Sequence, residues 1–374
     1  MSTDPSRRVA LAHHWLVGMR GGEKVLEQIC RIVPGAPIYT LVAQPAKLSS
    51  SLQEHPIHTS WLQHVPGGAK QYKKLLPLFP RAVASLRVKS PVDLVISSDA
   101  SVIKGLGVPP GVPHVCYCHS PPRYLWDLQE DYQRSSEVGG LVGRALFNRM
   151  APYVREFDRQ AARRVTHFIA NSSFVRDRIL TCYGRKSEVI HPPVYLDEFG
   201  ISSAGPDDFY LVVSQLVPYK RIDVAVAAFN RLNKKLVIIG EGSERGRLEK
   251  MAGPNMTFLG SQPQPVLRDH YRRCRALVFP GIEDFGITPL EAQASGRPVL
   301  ALRAGGALET IRENSTGIFF NQQTAESLIE AVETFETRKA EFEPAACRAN
   351  AERFGADRFR ANFSACLARL SLLP

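Results

Sequence analysis

Residues 275–292 read R-A-L-V-F-P-G-I-E-D-F-G-I-T-P-L-E-A. Ala276–Phe279 is a short apolar run of the kind that forms a fully buried strand. Gly281, Glu283, Asp284 and Gly286 follow it and read as a loop. A helix then begins. Thr288 suits its N-cap and Pro289 its first position, and Glu291 lies three residues past the cap, making a T-x-x-E capping box. Strand, loop and helix in that order form the repeating piece of a parallel, doubly wound sheet.

The same piece recurs in both directions. Towards the N-terminus, Tyr210–Ser214, Lys235–Ile239 and Met256–Leu259 are strand candidates split by amphipathic stretches, and Pro298–Ala301 follows on the other side. The first half supplies Arg8–Trp15, Pro37–Val42, Leu94–Ser98, His114–His119 and His167–Asn171. Between the halves, His191-Pro192-Pro193-Val194 and the Ser-, Gly-, Pro- and Asp-rich stretch Ile201–Asp208 read as a connection. The fold expected is therefore α/β, with two Rossmann-like doubly wound domains facing a cleft. Their bounds are 1–195 and 209–355, joined by a linker at 196–208. A final helix, 356–374, packs on one domain or returns to the other. Ligands belong at the carboxyl ends of the strands.

Composition narrows the class of protein. The chain has 374 residues, 44% hydrophobic and 22% charged, which fits two globular domains. No apolar run approaches the ~18 residues of a membrane span. The polar start M-S-T-D-P-S-R-R lacks a signal-peptide pattern. The 7 cysteines form no C-x-x-C pair, and Cys116 and Cys118 read as buried thiols on one strand face. A reducing cytoplasm fits these features. The net charge of +11 is uneven. Residues 1–200 carry 25 Lys+Arg against 16 Asp+Glu, and residues 201–374 carry 22 against 20, so the excess is +9 and +2. The basic half points to an anionic partner: phosphates, nucleic acid or an acidic membrane. Zinc-finger spacing, a helix-turn-helix and a basic stripe interleaved with aromatics are all missing, which argues against nucleic acid.

Several side chains carry candidate chemistry, and each also has a bland reading. Glu291 either caps its helix or meets a ligand. Glu283 is either a solvated turn residue or a ligand carboxylate above the strand end. Gly286 and Ile287 stand before the helix, where N–H groups and the helix dipole seat phosphate. In V-V-S-Q-L-V-P-Y-K-R, 212–221, a strand ends at Ser214 and Lys220 starts the next helix. Lys220 and Arg221 are either solvated or neutralise a diphosphate, at roughly 1.5–3 kcal/mol per charged hydrogen bond. Gly18, Gly21 and Gly22 in G-M-R-G-G-E do not form G-x-G-x-x-G. His119 ends a strand and is either a satisfied polar group or a site residue.

The pair Glu283…Glu291, with F-G-I-T-P-L-E-A, resembles the hallmark of the retaining glycosyltransferases of family four, which have the GT-B fold. The likeness runs from H-H-W-L and G-G-E-K near the start to G-G-A-L-E-T-I at 305–311. Y-C-H-S-P-P-R-Y-L-W-D, 117–127, and L-V-P-Y-K-R-I-D, 216–223, resemble bacterial mannosyltransferases that build lipid-linked surface polysaccharides.

The resemblance implies roles. The first domain binds the acceptor and the second a nucleotide-diphosphate sugar. Glu283 meets sugar hydroxyls and Glu291 the ribose. Phe285, Gly286, Ile287 and Thr288 hold sugar and phosphate, with Ser214, Gln215 and Arg221 nearby. Lys220 stabilises the leaving diphosphate, Gly21 and Gly22 admit the phosphates, and His119 lies over the sugar. Gln215 stands where the family commonly has arginine, and His14 where aspartate is frequent. The donor expected is GDP-mannose, with UDP-hexoses next. A catalytically inactive subunit is a further reading, as is an epimerase or phosphorylase of like architecture.

No D-x-D and no His/Cys cluster with metal spacing occurs, so no metal cofactor is expected. Lys220 and the helix N-terminus then carry leaving-group stabilisation. Residues 70–89 combine Lys70, Lys73, Lys74, Arg81, Arg87 and Lys89 with Leu75, Leu76, Leu78 and Phe79. This segment either lies on an anionic membrane or packs on its own domain. The first reading makes the enzyme peripheral to the inner face of the cell membrane, with Arg123 meeting an acceptor diphosphate.

Overall fold

The computed structural model describes residues 7–89, 91–127 and 140–373, without the side chains of Lys73, Leu141 and Val142. The chain divides into two units, Met1–Pro193 with Asp357–Pro374, and Val194–Ala356.

The first unit is built on seven strands: β1 (Val9–His13), β2 (Ile38–Thr40), β3 (Ile57–Thr59), β4 (Leu94–Asp99), β5 (His114–Cys118), β6 (His167–Ala170) and β7 (Ser187–Val189). They form one sheet in the order β3-β2-β1-β4-β5-β6-β7, and every pairing is parallel. Alternate residues serve opposite faces, as a strand's period of two requires. Leu11, Ile96, Val115 and Tyr117 enter one core cluster, whereas Ala10, Ala12 and Val95 enter another and Cys116 and Cys118 a third. Both faces are thus covered, as parallel sheets demand.

The C-terminal helix Ala356–Arg369 closes one of these faces. Its Phe359, Phe363, Cys366 and Leu367 share the cluster of Leu11 and Ile29, and the Phe359 ring lies 5.7 Å from that of Tyr117. The helix therefore packs on the first unit.

The second unit carries β8 (Tyr210–Val213), β9 (Leu236–Ile239), β10 (Met256–Gly260), β11 (Leu277–Phe279), β12 (Val299–Leu302) and β13 (Gly317–Phe320). Their order is β10-β9-β8-β11-β12-β13, all parallel. Tyr210, Val212, Val278 and Leu300 face one core cluster, and Leu211, Leu277, Phe279 and Ala301 the other. Part of the stretch read as a linker is integral to this unit. Leu196–Glu198 forms a 3-10 turn, and Phe199 is buried beside Leu211 and Tyr271.

In both sheets the connection reverses direction at the first strand, between β1 and β4 and between β8 and β11. A doubly wound sheet opens a crevice there, beyond its carboxyl edge. No helix among the described residues is long and apolar enough to cross a membrane.

Candidate active site

In the second unit the switch point lies between the loops after β8 and β11. The chain leaves β8 at Val213, and the Ser214 hydroxyl donates to the Gln215 carbonyl at 3.1 Å. Gln215 is exposed. Lys220 ends the 3-10 turn Pro218–Lys220 and does not start the helix, which runs Ile222–Leu232. Arg221 sits between them in the left-handed region, φ 52.

Arg221 has partners within the chain. Its Nε donates to Asp223 at 3.1 Å, its Nη2 to the same carboxylate at 3.2 Å and its Nη1 to Gln323 at 3.1 Å. Gln323 in turn donates to the Pro280 carbonyl at 2.9 Å. The guanidinium therefore ties the loop after β8 to the loop after β11.

Lys220 forms an ion pair with Glu283, and the two side chains are only 16% and 18% exposed. Gly281 makes their approach possible: a Cβ there would lie 2.9 Å from the Lys220 carbonyl oxygen. On the other side the G-G-A-L-E segment clamps the same loop. The Gly306 N–H donates to the Glu283 carbonyl at 2.9 Å, and a Cβ at Gly306 would collide with the Phe285 backbone. Phe285 itself is buried with Leu290 and Phe354, so its side chain anchors the loop.

The helix after this loop is Ile287–Ala294, capped by Gly286 at φ 98. The expected box at Thr288 is therefore absent: Thr288 and Pro289 lie inside the first turn. A left-handed cap suits glycine and not threonine. Glu291 is released from capping, and its carboxylate accepts from the Tyr271 hydroxyl at 2.8 Å. Burial, then Glu291, holds that phenol well above its ordinary pKa, so it stays a donor. The first N–H groups of the helix lie beyond the intrahelical ladder. A cation–carboxylate pair and a helix N-terminus thus stand at one strand edge, with Glu291 one turn into that helix. That set suits a phosphate with neighbouring hydroxyls.

In the first unit the corresponding edge gathers three histidines around Ser98. His13 Nδ1 lies 3.1 Å and His119 Nε2 2.8 Å from the Ser98 hydroxyl, and His14 Nδ1 lies 3.4 Å from the Ser98 carbonyl. Burial holds His14 down at about 4 and His119 at about 3, with His13 also far below its usual range. The rings are therefore neutral. Gly21 and Gly22 open the helix Gly21–Ile32 and do not sit in a loop. A Cβ at Gly22 would lie 3.4 Å from the His13 ring and 3.7 Å from His119 Nε2. Beneath them, Asp99 and Asp158 hold the fully buried Lys104, with Asp99 at 3.1 Å. Arg123 opens the short helix Arg123–Trp126.

His13, Tyr271 and Gln323 escaped the sequence reading. Only the H-H doublet at a strand end hinted at one of them. Among the described residues, metal-ligand side chains converge at His167, Glu188 and Cys366, where Glu188 is paired with Arg369. None of these belongs to either strand edge described above.

The segment 70–89 turns its apolar side chains inward. Phe79, Ala82 and Val83 are buried, and Leu75, Leu76 and Leu78 pack on the same core. Lys70, Lys74, Arg81, Arg87 and Lys89 are exposed, while the Lys73 side chain lies outside the described residues. The apolar half of the membrane reading is thus taken up by the domain's own core, and an electrostatic surface remains.

Comparison with known proteins agrees with this architecture. GDP-mannose-dependent alpha-(1-6)-phosphatidylinositol monomannoside mannosyltransferase of Mycobacterium tuberculosis is 29% identical over 192 residues, 43% of this chain and 50% of its own. D-inositol 3-phosphate glycosyltransferase of Mycobacteroides abscessus is 27% identical over 207 residues, 49% of this chain and 47% of its own. The chain thus spans about half the length of the curated relatives it matches. Anabaena HepE, solved with UDP and glucose, shares the fold with TM-score 0.70 at 17% identity, over 97% of this chain and 99% of that one. Sucrose-phosphate synthase from Thermosynechococcus elongatus gives TM-score 0.72 at 16% identity, over 97% and 99%. The Glycosyltransferase Family 4 model matches residues 20–198 and the Glycosyl transferases group 1 model residues 196–354; the matches take in the second-unit edge and, of the first-unit edge, Gly22, Ser98 and His119. The chain therefore belongs to the family-four, group 1 glycosyltransferases of GT-B fold.

Proposed function

We propose that the protein is a retaining hexosyltransferase that moves mannose from GDP-mannose to a lipid-linked saccharide during surface polysaccharide synthesis. The observation that carries the reading is the Lys220–Glu283 pair, set beside the helix N-terminus at the β11 edge. Donor binding exchanges this pair for ligand contacts. Lys220 turns to the diphosphate and Glu283 to the sugar hydroxyls, while Glu291, held by Tyr271, accepts from the ribose. The GDP-mannose dependence named for the mycobacterial relative supports the choice of donor.

Charge that develops on the leaving phosphate meets donors already in place, which is the efficient form of electrostatic catalysis. The reaction proceeds without a metal: Lys220 and the first turn of Ile287–Ala294 supply the positive charge. The departing phosphate takes the acceptor's proton as the new bond forms on the same face. His119 and His13 stay neutral and present hydrogen-bonding groups at the carboxyl edge of the first sheet. The exposed cations of 70–89 hold the protein electrostatically on the inner face of the cell membrane.

Calorimetric titration with GDP, UDP and ADP in EDTA tests the donor. Preference for GDP supports the reading, and preference for UDP moves the donor to a UDP-hexose. No binding to any of the three favours an inactive subunit, for which Gln215→Arg is the rescue to try.

A further inference from the structure

The first unit contains a basic cavity of about 490 Å³. Arg20, Lys47, Lys70 and Lys74 line it together with Gln44 and Gln71, and no carboxylate is among its lining residues. The four cations come from separate segments. Arg20 precedes the helix Gly21–Ile32, Lys47 ends the turn Pro45–Lys47, Lys70 lies in Gly68–Gln71 and Lys74 in Tyr72–Leu78. All these segments follow the carboxyl ends of β1, β2 or β3, the side of such a sheet that binds ligands.

The wall is fixed by its amides. Gln44 donates to the Ala69 carbonyl at 2.8 Å, and Gln63 accepts from the Ala43 N–H at 2.8 Å. Arg231, Arg245, Arg273, Arg303 and Arg338 are each paired with a carboxylate. By contrast, Lys47, Lys70 and Lys74 have no ion-pair partner among the described residues, while Arg20 lies beside the Glu23 carboxylate, which accepts from its backbone N–H at 3.1 Å. Like charges gathered round one concavity repel each other and concentrate counter-ions there.

We propose that this cavity is a binding site for a phosphate or diphosphate ester. The proposal rests on the glycosyltransferase reading only for the bearer of that group, the lipid-linked acceptor. A soluble phosphate ester presents the same chemistry. Lys and Arg donors match phosphate oxygens, and the four charges exceed what a single phosphate carries, which favours a diphosphate.

The test titrates inorganic pyrophosphate into the full chain saturated with GDP, which blocks the donor site. A Lys47→Gln/Lys70→Gln/Lys74→Gln variant is compared with Arg81→Gln/Arg87→Gln, whose cations belong to the same segment but lie outside the cavity. The cavity variant should bind pyrophosphate about tenfold more weakly or worse, with an affinity that falls as salt rises. The control should stay within about twofold, since exposed charges outside a site contribute little. Unchanged GDP affinity in the cavity variant reports an intact fold.

Phosphatidylglycerol vesicles separate the two sources. If pyrophosphate displaces the protein from vesicles, the site takes a lipid headgroup. If vesicle binding ignores the cavity variant while pyrophosphate binding falls, it takes a soluble ester. No pyrophosphate binding by the wild type, no loss in the cavity variant, or equal loss in both variants overturns the site. Failure of the wild type to bind GDP counts against the donor reading instead and leaves the variant comparison readable.

Discussion

Lys220 and Glu283 neutralise each other at the β11 edge, in the site proposed here for the donor diphosphate. Each is the other's partner until a ligand displaces it. Glu283→Gln keeps the side chain's shape but frees the lysine. Turnover should fall by ~10²–10³, the usual scale for losing one transition-state contact. GDP should bind at least as tightly as to the wild type. Parallel measurement of kcat and GDP affinity checks this, and an equal loss in both would mean that Glu283 serves only to build the loop.

Tyr271 acts through Glu291, which accepts its hydroxyl at 2.8 Å. Tyr271→Phe leaves the carboxylate in place without its orienting donor. A lost hydrogen bond to a charged group costs about 1.5–3 kcal/mol. Nucleotide affinity should weaken by roughly 10- to 100-fold, since 1.4 kcal/mol is tenfold. The effect should appear in KM for the donor more than in kcat, and steady-state kinetics distinguish the two.

Arg221 and Lys220 are neighbours with different tasks. Arg221→Ala removes the link through Asp223 and Gln323 and leaves alanine in a left-handed conformation. Thermal stability should drop, by on the order of 1–3 kcal/mol. Lys220→Ala should leave the melting temperature nearly unchanged and remove activity. Melting curves and turnover for both variants decide the assignment, and the opposite pattern would make Arg221 the diphosphate cation.

These contrasts show what could be read from the sequence. The inner strands were legible because both their faces are buried and they read as unbroken apolar runs, such as Leu277–Phe279. The strands overlooked were edges: β3 and β7 bound the first sheet and β13 the second. β3 and β7 are three residues long and half-exposed, so they carry no apolar signal. Glu283, Glu291 and Lys220 stood out as candidates through their spacing after strands and through the family resemblance. Arg221's engagement with Gln323, the Tyr271–Glu291 bond and the histidine cluster depend on long-range contacts that spacing does not encode. The T-x-x-E box misled because Gly286 offers a left-handed cap two residues earlier.

The histidine cluster makes stability depend on pH. Burial, the largest cause in each case, holds His14 at about 4 and His119 at about 3, below the 6.5 of an exposed ring. As pH falls below 6.5, the unfolded chain takes up protons that the folded one refuses, so stability decreases. The loss continues to about pH 4, where His14 protonates in the fold as well. Between pH 7 and 5 it should amount to roughly 2 kcal/mol per imidazole. Denaturant midpoints across this range should fall with pH, and His14→Gln should flatten the slope.

The most direct measurement compares diphosphate with monophosphate. GDP and GMP are titrated into the wild type and into Lys220→Ala, with EDTA throughout. If Lys220 seats the leaving diphosphate, the wild type binds GDP about tenfold or more tightly than GMP, and the variant loses that preference. A variant that keeps the full preference for GDP would show that the diphosphate lies elsewhere, and would contradict the site assigned to Lys220 and Glu283.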